Sequence, residues 1–368
     1  MKISGRILHI EITESLGGIE IFLLNVYRNI NRPKLQFDFV LNREEAEIEG
    51  SIKELGGRIF KVRYGNAISY YNRLVELILK NGYSVVHIHK NSAINIIPFL
   101  ACKRAGVKTI IAHSHNTSPS KGRWMAKILH YINRPILNAL SSDKFACSGL
   151  AAEWLFGKRY VRKNKVLYVK NGIEVDVFAY DAEIRSRIRA ELKLQTSTFL
   201  IGNVGRMTRQ KNQVFLVEVL FEVRKRYADT KLLICGNGTM KSEILKRAEE
   251  LGVADSLILP GQCTNINEML QAMDIYVMPS LYEGFGIAAV EAQCAGLPTI
   301  LSDIIPAEAK ITEVCKRISL RVPPSGWSME IMKLKDIERK DVREIIRENG
   351  FDIKQTACFL QEYYMKKL

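Results

Sequence analysis

Glu283 and Glu291 bracket seven residues in the run Pro279-Ser280-Leu281-Tyr282-Glu283-Gly284-Phe285-Gly286-Ile287-Ala288-Ala289-Val290-Glu291-Ala292. The apolar stretch 275–278 reads as a buried strand ending at Pro279, and a helix begins near Ile287. Glycines between them let backbone amides approach a ligand. The helix start offers unpaired N–H groups and a positive dipole end, which is anion chemistry. Arg206 and Lys211 stand in a second loop, Gly205-Arg206-Met207-Thr208-Arg209-Gln210-Lys211-Asn212, between a strand at 199–204 and a helix. Two fixed cations at a helix N-terminus can clamp a diphosphate. Taken singly, each glutamate could be a helix cap or a solvated acid, and each cation a solvated loop charge. His87 and His89 alternate on a strand, and His113-Ser114-His115-Asn116 follows another. Such pairs can ligate zinc, but no third and fourth ligand is in suitable context, so no metal is expected.

Strands and helices must position these residues. Apolar runs at 6–12, 36–41, 58–62, 84–89, 108–113, 144–147 and 165–169 alternate with helical patterns, and so do runs at 199–204, 231–235, 257–259, 275–278 and 299–302. Continuous rather than alternating apolar strands are buried on both faces, so the sheets are parallel and covered by helices. The α/β class follows, as two doubly wound domains whose ligands sit outside the carboxyl ends of the strands. Two such domains face to face make a cleft for two substrates. With 368 residues there is room for both. The expected divisions are 1–175, 176–350 and a terminal helix, 351–368, packing back on the first domain.

No run nears the roughly 18 apolar residues of a membrane span, and the first residues lack a signal-peptide core, so a cytoplasmic protein is expected. Seven scattered cysteines without a C-x-x-C pair read as buried thiols. Net charge is +15, and residues 121–170 hold eleven Lys/Arg against Asp143 and Glu153. An anionic partner is implied. The segment 121–141 mixes cations with apolar residues as a basic amphipathic helix that Pro135 would kink or split.

The glutamate run resembles the E-x7-E motif of the large retaining glycosyltransferase family with the GT-B fold, family 4. The 205–212 loop is similar to the family's G-R-x-x-x-x-K-G segment, with Asn212 in place of the last glycine. Gly17-Gly18-Ile19-Glu20 resembles its G-G-x-E turn, Asn171-Gly172-Ile173 with Phe178 its domain-junction segment, and Cys235-Gly236-Asn237-Gly238 its G-x-G turn. The resemblance runs from about residue 6 to 305, and the H-S-H-N form resembles members that build bacterial surface polysaccharides.

The resemblance implies a GT-B pair of Rossmann-like domains and a hexosyltransferase that uses a nucleotide sugar, UDP-linked, without a metal or other cofactor. Catalytic roles then fall to Glu283 and His115, with His113 as the fallback. Donor binding falls to Gly18, Arg206, Lys211, Gly284, Phe285, Gly286, Ile287 and Glu291. The acceptor would be a glycan or lipid-linked saccharide, and residues 121–170 would meet an anionic membrane surface on its inner face. Two other readings compete. One is a non-transferring GT-B enzyme such as a UDP-sugar 2-epimerase. The other is a basic nucleic-acid or membrane-binding module; no nucleic-acid motif accompanies the charge, so no nucleic-acid partner is expected.

Overall fold

A computed structural model describes residues 5–12, 17–42, 46–117 and 124–368. The start of the chain, Lys121 and Arg123, on which expectations above partly rest, lie outside the described residues. The chain divides into two compact units, Met1–Gly172 with Gly350–Leu368, and Ile173–Asn349.

The first unit holds β1 (Gly5–Ile12), β2 (Leu35–Leu41), β3 (Arg58–Lys61), β4 (Val85–Lys90), β5 (Thr109–Ser114), β6 (Asp143–Ala146) and β7 (Leu167–Tyr168) in one sheet, ordered β3-β2-β1-β4-β5-β6-β7. The second holds β8 (Phe199–Val204), β9 (Thr230–Cys235), β10 (Leu257–Gly261), β11 (Ile275–Met278), β12 (Thr299–Ser302) and β13 (Cys315–Ile318), ordered β10-β9-β8-β11-β12-β13. Every pair is parallel. β2, β4, β5 and β8 are buried along their whole length, as continuous apolar strands between helical layers should be. The strand order reverses beside β1 in one sheet and beside β8 in the other, and ligands of such sheets bind at that reversal.

Three expectations are corrected. β13 was not legible, because Cys-Lys-Arg-Ile carries two cations and becomes a strand only through its four-residue register with β12. Pro135 neither splits nor ends its helix, which runs unbroken over Trp124–Leu140. Pro135 frees only the carbonyl of Tyr131, an exposed residue, where water can replace the lost bond. Of the seven cysteines, five are buried as expected, but Cys263 is half-buried and Cys358 exposed; none is in a disulfide.

The terminal helix Ile353–Lys367 belongs to the first unit. Its Ile353, Ala357, Leu360 and Tyr364 enter the core built by Phe22, Tyr27, Phe37 and Phe39. Thr356 Oγ1 donates to the Lys170 carbonyl at 3.1 Å, and the Asn31 N–H donates to Gln361 at 2.6 Å. A Cβ on Gly172 would lie 2.6 Å from the Ile353 Cα. Backbone cannot give way as a side-chain tip can, so Gly172→Ala should cost about 1–3 kcal/mol in chemical denaturation, by pushing the terminal helix off its seat.

Candidate active site

In the second unit, four loops meet at the carboxyl edge of the sheet, around the β8/β11 reversal. Gly205, Gly236 and Gly238 all have positive φ. A Cβ on Gly236 would lie 2.2 Å from the Gly205 carbonyl oxygen, and one on Gly238 2.2 Å from that of Met207. Bare backbone is therefore required where these loops stack. The Met207 N–H donates to the Asn237 carbonyl at 2.8 Å, and the Gly236 N–H to the Gly261 carbonyl at 2.7 Å.

The loop after β8 is stitched to the glutamate loop after β11. The Leu281 N–H donates to the Gln210 carbonyl at 2.8 Å, and the Gln210 amide to the Tyr282 carbonyl at 2.9 Å. Asn212 sits at the N-cap of the helix Gln213–Arg224 with φ 55°, in the left-handed region. Its side chain does not cap that helix but donates to the Pro279 carbonyl at 3.2 Å. A glycine would serve the conformation but lose the tie. Gln210 carried no signal in the sequence, because its partner is 72 residues away.

Lys211 is brought to the glutamates by this stitching. Its Nζ lies 2.8 Å from Glu283 Oε1, both side chains largely buried. Lys211 also acts on Glu291, whose carboxyl burial pushes up to about 7, against the pull of that cation. The buried Tyr276 ring of β11 is within electrostatic reach of both carboxylates. Two motifs that the sequence presents separately are thus one cluster. Arg206 stands on the same loop with its side chain exposed. Gly284, Phe285 and Gly286 are buried and Ile287 half-buried. Gly286, φ 92°, is the N-cap of the helix Ile287–Cys294, which starts without a side-chain cap. Phe285, 3% exposed, packs inward, so its backbone rather than its ring can meet a ligand.

Glu291 yields a stability prediction. Its carboxyl ionises near the ordinary 4.5 when unfolded and near 7 when folded, so the folded state holds the proton more tightly. As pH rises from about 4.5 to 7, ionisation costs stability, and the cost then stays level. Glu291→Gln should gain up to about 3 kcal/mol at pH 8 and nothing near pH 4.5, read from denaturation curves at both.

His115 and Gly18 lie in the first unit. His113 is fully buried within β5, whereas His115 follows the strand and is half-buried. The His115 Nε2 lies 2.9 Å from His89 Nδ1, and its ring packs 5.7 Å from that of Phe22. Phe22 belongs to the helix Gly18–Asn29, which Gly18 opens. A Cβ on Gly18 would meet nothing within 4 Å, so the chain itself does not demand glycine there. At the β1/β4 reversal, Lys90 Nζ donates to Glu11 at 2.6 Å and to the Asn95 carbonyl at 2.7 Å. Glu11 has φ 68°, a costly backbone for a non-glycine residue. Neither Glu11 nor Lys90 was singled out from the sequence, where an isolated acid and base 79 residues apart say nothing of a pair.

Among the described residues no helix is long and apolar enough to cross a membrane. The basic stretch instead holds a helix turned inside out. Trp124–Leu140 buries His130, Asn133, Leu137 and Asn138. His130 accepts from the Ala93 N–H at 3.0 Å, and the Asn133 and Asn138 amides donate to the carbonyls of Ile94 and Phe156. Its outer face carries Trp124 (71% exposed), Met125 (67%), Ile132 (60%), Ile128 and Ile136.

Comparison with known proteins matches residues 16–177 to Glycosyltransferase Family 4 and residues 184–347 to Glycosyl transferases group 1. The chain is 30% identical to EpsF of Bacillus subtilis (strain 168), named as a glycosyltransferase, over 98% of this chain and 96% of that one. It is 25% identical to the capsular polysaccharide biosynthesis glycosyltransferase CapH of Staphylococcus aureus, over 98% and 99%. It is also 25% identical to the Escherichia coli UDP-Gal:alpha-D-GlcNAc-diphosphoundecaprenol alpha-1,3-galactosyltransferase, over 81% and 79%. In fold it is similar to Anabaena Alr3699/HepE, solved in complex with UDP-glucose, with TM-score 0.81 and 15% identity over 98% and 99% of the two chains. The two parallel-sheet units are those of the GT-B class, and the chain belongs to glycosyltransferase family 4 (group 1), transferases that act on sugars.

Proposed function

We propose that this enzyme transfers a hexose from a UDP-sugar, with retention and without a metal, to a hydroxyl of a glycan or lipid-linked saccharide in bacterial surface polysaccharide synthesis. The observation that carries the reading is Lys211, 2.8 Å from Glu283 and within electrostatic reach of Glu291, in a loop that also bears Arg206. In the transfer, negative charge grows on the leaving diphosphate. Lys211, which keeps N–H donors beyond the one facing Glu283, and Arg206 would stabilise it, with the N–H groups at the start of the helix Ile287–Cys294. Glu291 would accept the ribose hydroxyls. Glu283 would hold sugar hydroxyls close to the positive charge that develops at C1. His115, on the first unit, would hydrogen-bond the sugar or phosphate. The likeness to CapH supports a place in polysaccharide synthesis, and the activity of the E. coli enzyme supports the choice of a UDP-sugar and a lipid-diphosphate-linked acceptor.

The test is transfer of labelled sugar from a panel of UDP-, GDP- and ADP-sugars to undecaprenyl-diphosphate-linked acceptors, in chelator. Transfer from UDP-sugars with the donor's anomeric configuration in the product supports the reading. Loss of activity on chelation, an inverted product, or conversion of the donor to its 2-epimer without acceptor overturns it.

The inside-out helix supports working in the cytoplasm against the inner membrane face. Its exposed tryptophan, methionine and isoleucines, beside Lys127 and Arg134, suit the interface of an anionic bilayer, where each basic residue adds about 1 kcal/mol. The chain should sediment with phosphatidylglycerol vesicles and not with phosphatidylcholine alone. Ile128→Ser with Ile132→Ser should weaken that binding at least about tenfold, through lost apolar burial. Equal sedimentation of the variant would remove this helix from the contact.

A further inference from the structure

Two thiols stand where β9 and β10 end, at the carboxyl edge where the four loops of the second unit meet. Cys235 closes β9 and is 1% exposed, whereas Cys263 follows β10 and is half-buried. In the register Gly261 of β10 lies opposite Cys235, and Cys263 comes two residues later. The turn folds Cys263 back, so that its Sγ lies 3.6 Å from the Gly261 carbonyl oxygen. There it hydrogen-bonds the Cys235 thiol of the neighbouring strand. Sugar transfer uses neither sulfur.

That bond makes the two thiols unlike. The Cys235 S–H donates, which stabilises a thiolate on Cys263 and holds its pKa below the ordinary thiol range. The same bond, with burial, keeps Cys235 protonated. Burial raises Cys102, Cys294 and Cys315, and the bond to Glu362 raises Cys358. The thiolate is the nucleophilic form of cysteine, and at Cys263 it has access to solvent.

We propose that Cys235 and Cys263 are a peroxide-sensitive pair, which closes to a disulfide on oxidation and weakens the grip of this edge on the UDP-sugar. The proposal rests on the reading of the edge as the donor site. The Cys263 thiolate attacks hydrogen peroxide: an S–O bond forms, the O–O bond breaks, and the departing hydroxide takes up the proton that Cys263 released, as water. The Cys235 sulfur then attacks the sulfenic sulfur. The S–S bond forms, the S–O bond breaks, and the hydroxyl leaves with the Cys235 proton as a second water. Each thiol loses one electron and the peroxide gains both. A dithiol reverses the step by exchange.

Closure must move backbone, because a covalent bond draws the sulfurs well inside hydrogen-bond distance. β10 is the edge strand of its sheet, so its end yields more readily than that of β9, which lies between β10 and β8. Gly261 moves with it, and its carbonyl holds the Gly236 N–H at 2.7 Å. The stack of Gly236 and Gly238 has no slack, since a Cβ on either would meet backbone at 2.2 Å. The Cys235 carbonyl in turn accepts from the Gly205 N–H at 2.9 Å, one residue before Arg206. The shift therefore enters the loop that carries Arg206 and Lys211.

Hydrogen peroxide treatment of the full chain, followed by peptide mapping without reductant and calorimetric titration with UDP, tests the pair. Expected are a Cys235 peptide joined to a Cys263 peptide and UDP affinity at least about tenfold weaker, as for one lost charged hydrogen bond. Dithiothreitol should restore the affinity. Cys263→Ser lacks the attacking thiol and should keep its own untreated affinity through peroxide. Cys235→Ser lacks the resolving thiol, so dimedone should trap Cys263 as its sulfenic acid. Cys358→Ser, which removes the exposed thiol of the terminal helix, should respond as the wild type does. Three results would overturn the pair: Cys235 and Cys263 still reduced after peroxide, a disulfide that leaves UDP affinity unchanged, or a Cys263→Ser chain that weakens as much as the wild type. Should the reduced chain bind no UDP, the donor-site reading fails, and the peptide map still judges whether the pair closes.

Discussion

Glu283→Gln and Lys211→Met should each lower sugar transfer at least about a hundredfold, the usual loss when a preorganised charge contact at a reacting centre is removed. The two differ in what else they lose. Lys211 would grip the diphosphate, so its variant should bind UDP weakly as well as transfer slowly. Glu283 would act on the sugar, so its variant should keep UDP affinity while kcat collapses. Because the side chains are 2.8 Å apart and largely buried, their effects should not add. The double variant should be little slower than the worse single one. Calorimetric titration with UDP and single-turnover transfer measure the two halves. Turnover within about threefold of wild type in both variants would remove this pair from the reaction. Circular dichroism guards against the trivial outcome: Lys211→Met strands a mostly buried carboxylate, and some loss of stability should accompany the lost activity.

The largest stability loss is expected in the first unit, at Asp38 of β2. Its carboxylate is fully buried and receives Arg6 at 2.5 and 2.6 Å, Arg58 at 2.7 and 3.1 Å and the Tyr83 hydroxyl at 2.6 Å. Burial alone would raise its pKa, but the bonds from Arg6, Arg58 and Tyr83 outweigh it and hold the group at about 2. Asp38→Ala leaves two guanidinium groups and a hydroxyl around an empty place, and should cost about 3–5 kcal/mol at pH 7. The sign with pH follows from the lowered value. The contribution is complete above the ordinary 3.8 and is lost as pH falls through about 2. Denaturation of wild type and variant should therefore converge toward pH 2. A constant gap from pH 7 to pH 2 would show that the charge is not what Asp38 supplies.

The sequence by itself determined the chain's class and marked out its candidate site. Uninterrupted apolar strands imply burial on both faces, and strand–helix alternation implies doubly wound sheets. The spacing of Glu283, the two glycines and Glu291 is a local pattern, set within one loop and one helical turn, so it can be read without knowing any partner. What only the tertiary structure decided are the contacts between segments remote in sequence. Lys211 reaches Glu283 because Gln210 and Asn212 tie their loop to the one after β11. His9 lines up with His89 and His115 because β1, β4 and β5 are neighbours in the sheet. The Trp124–Leu140 helix shows its apolar side because buried histidine and asparagines, not its isoleucines, bond to the unit beneath it. Side-chain periodicity shows that a helix is two-sided; which side goes inward depends on the polar groups waiting there, and those belong to other parts of the chain.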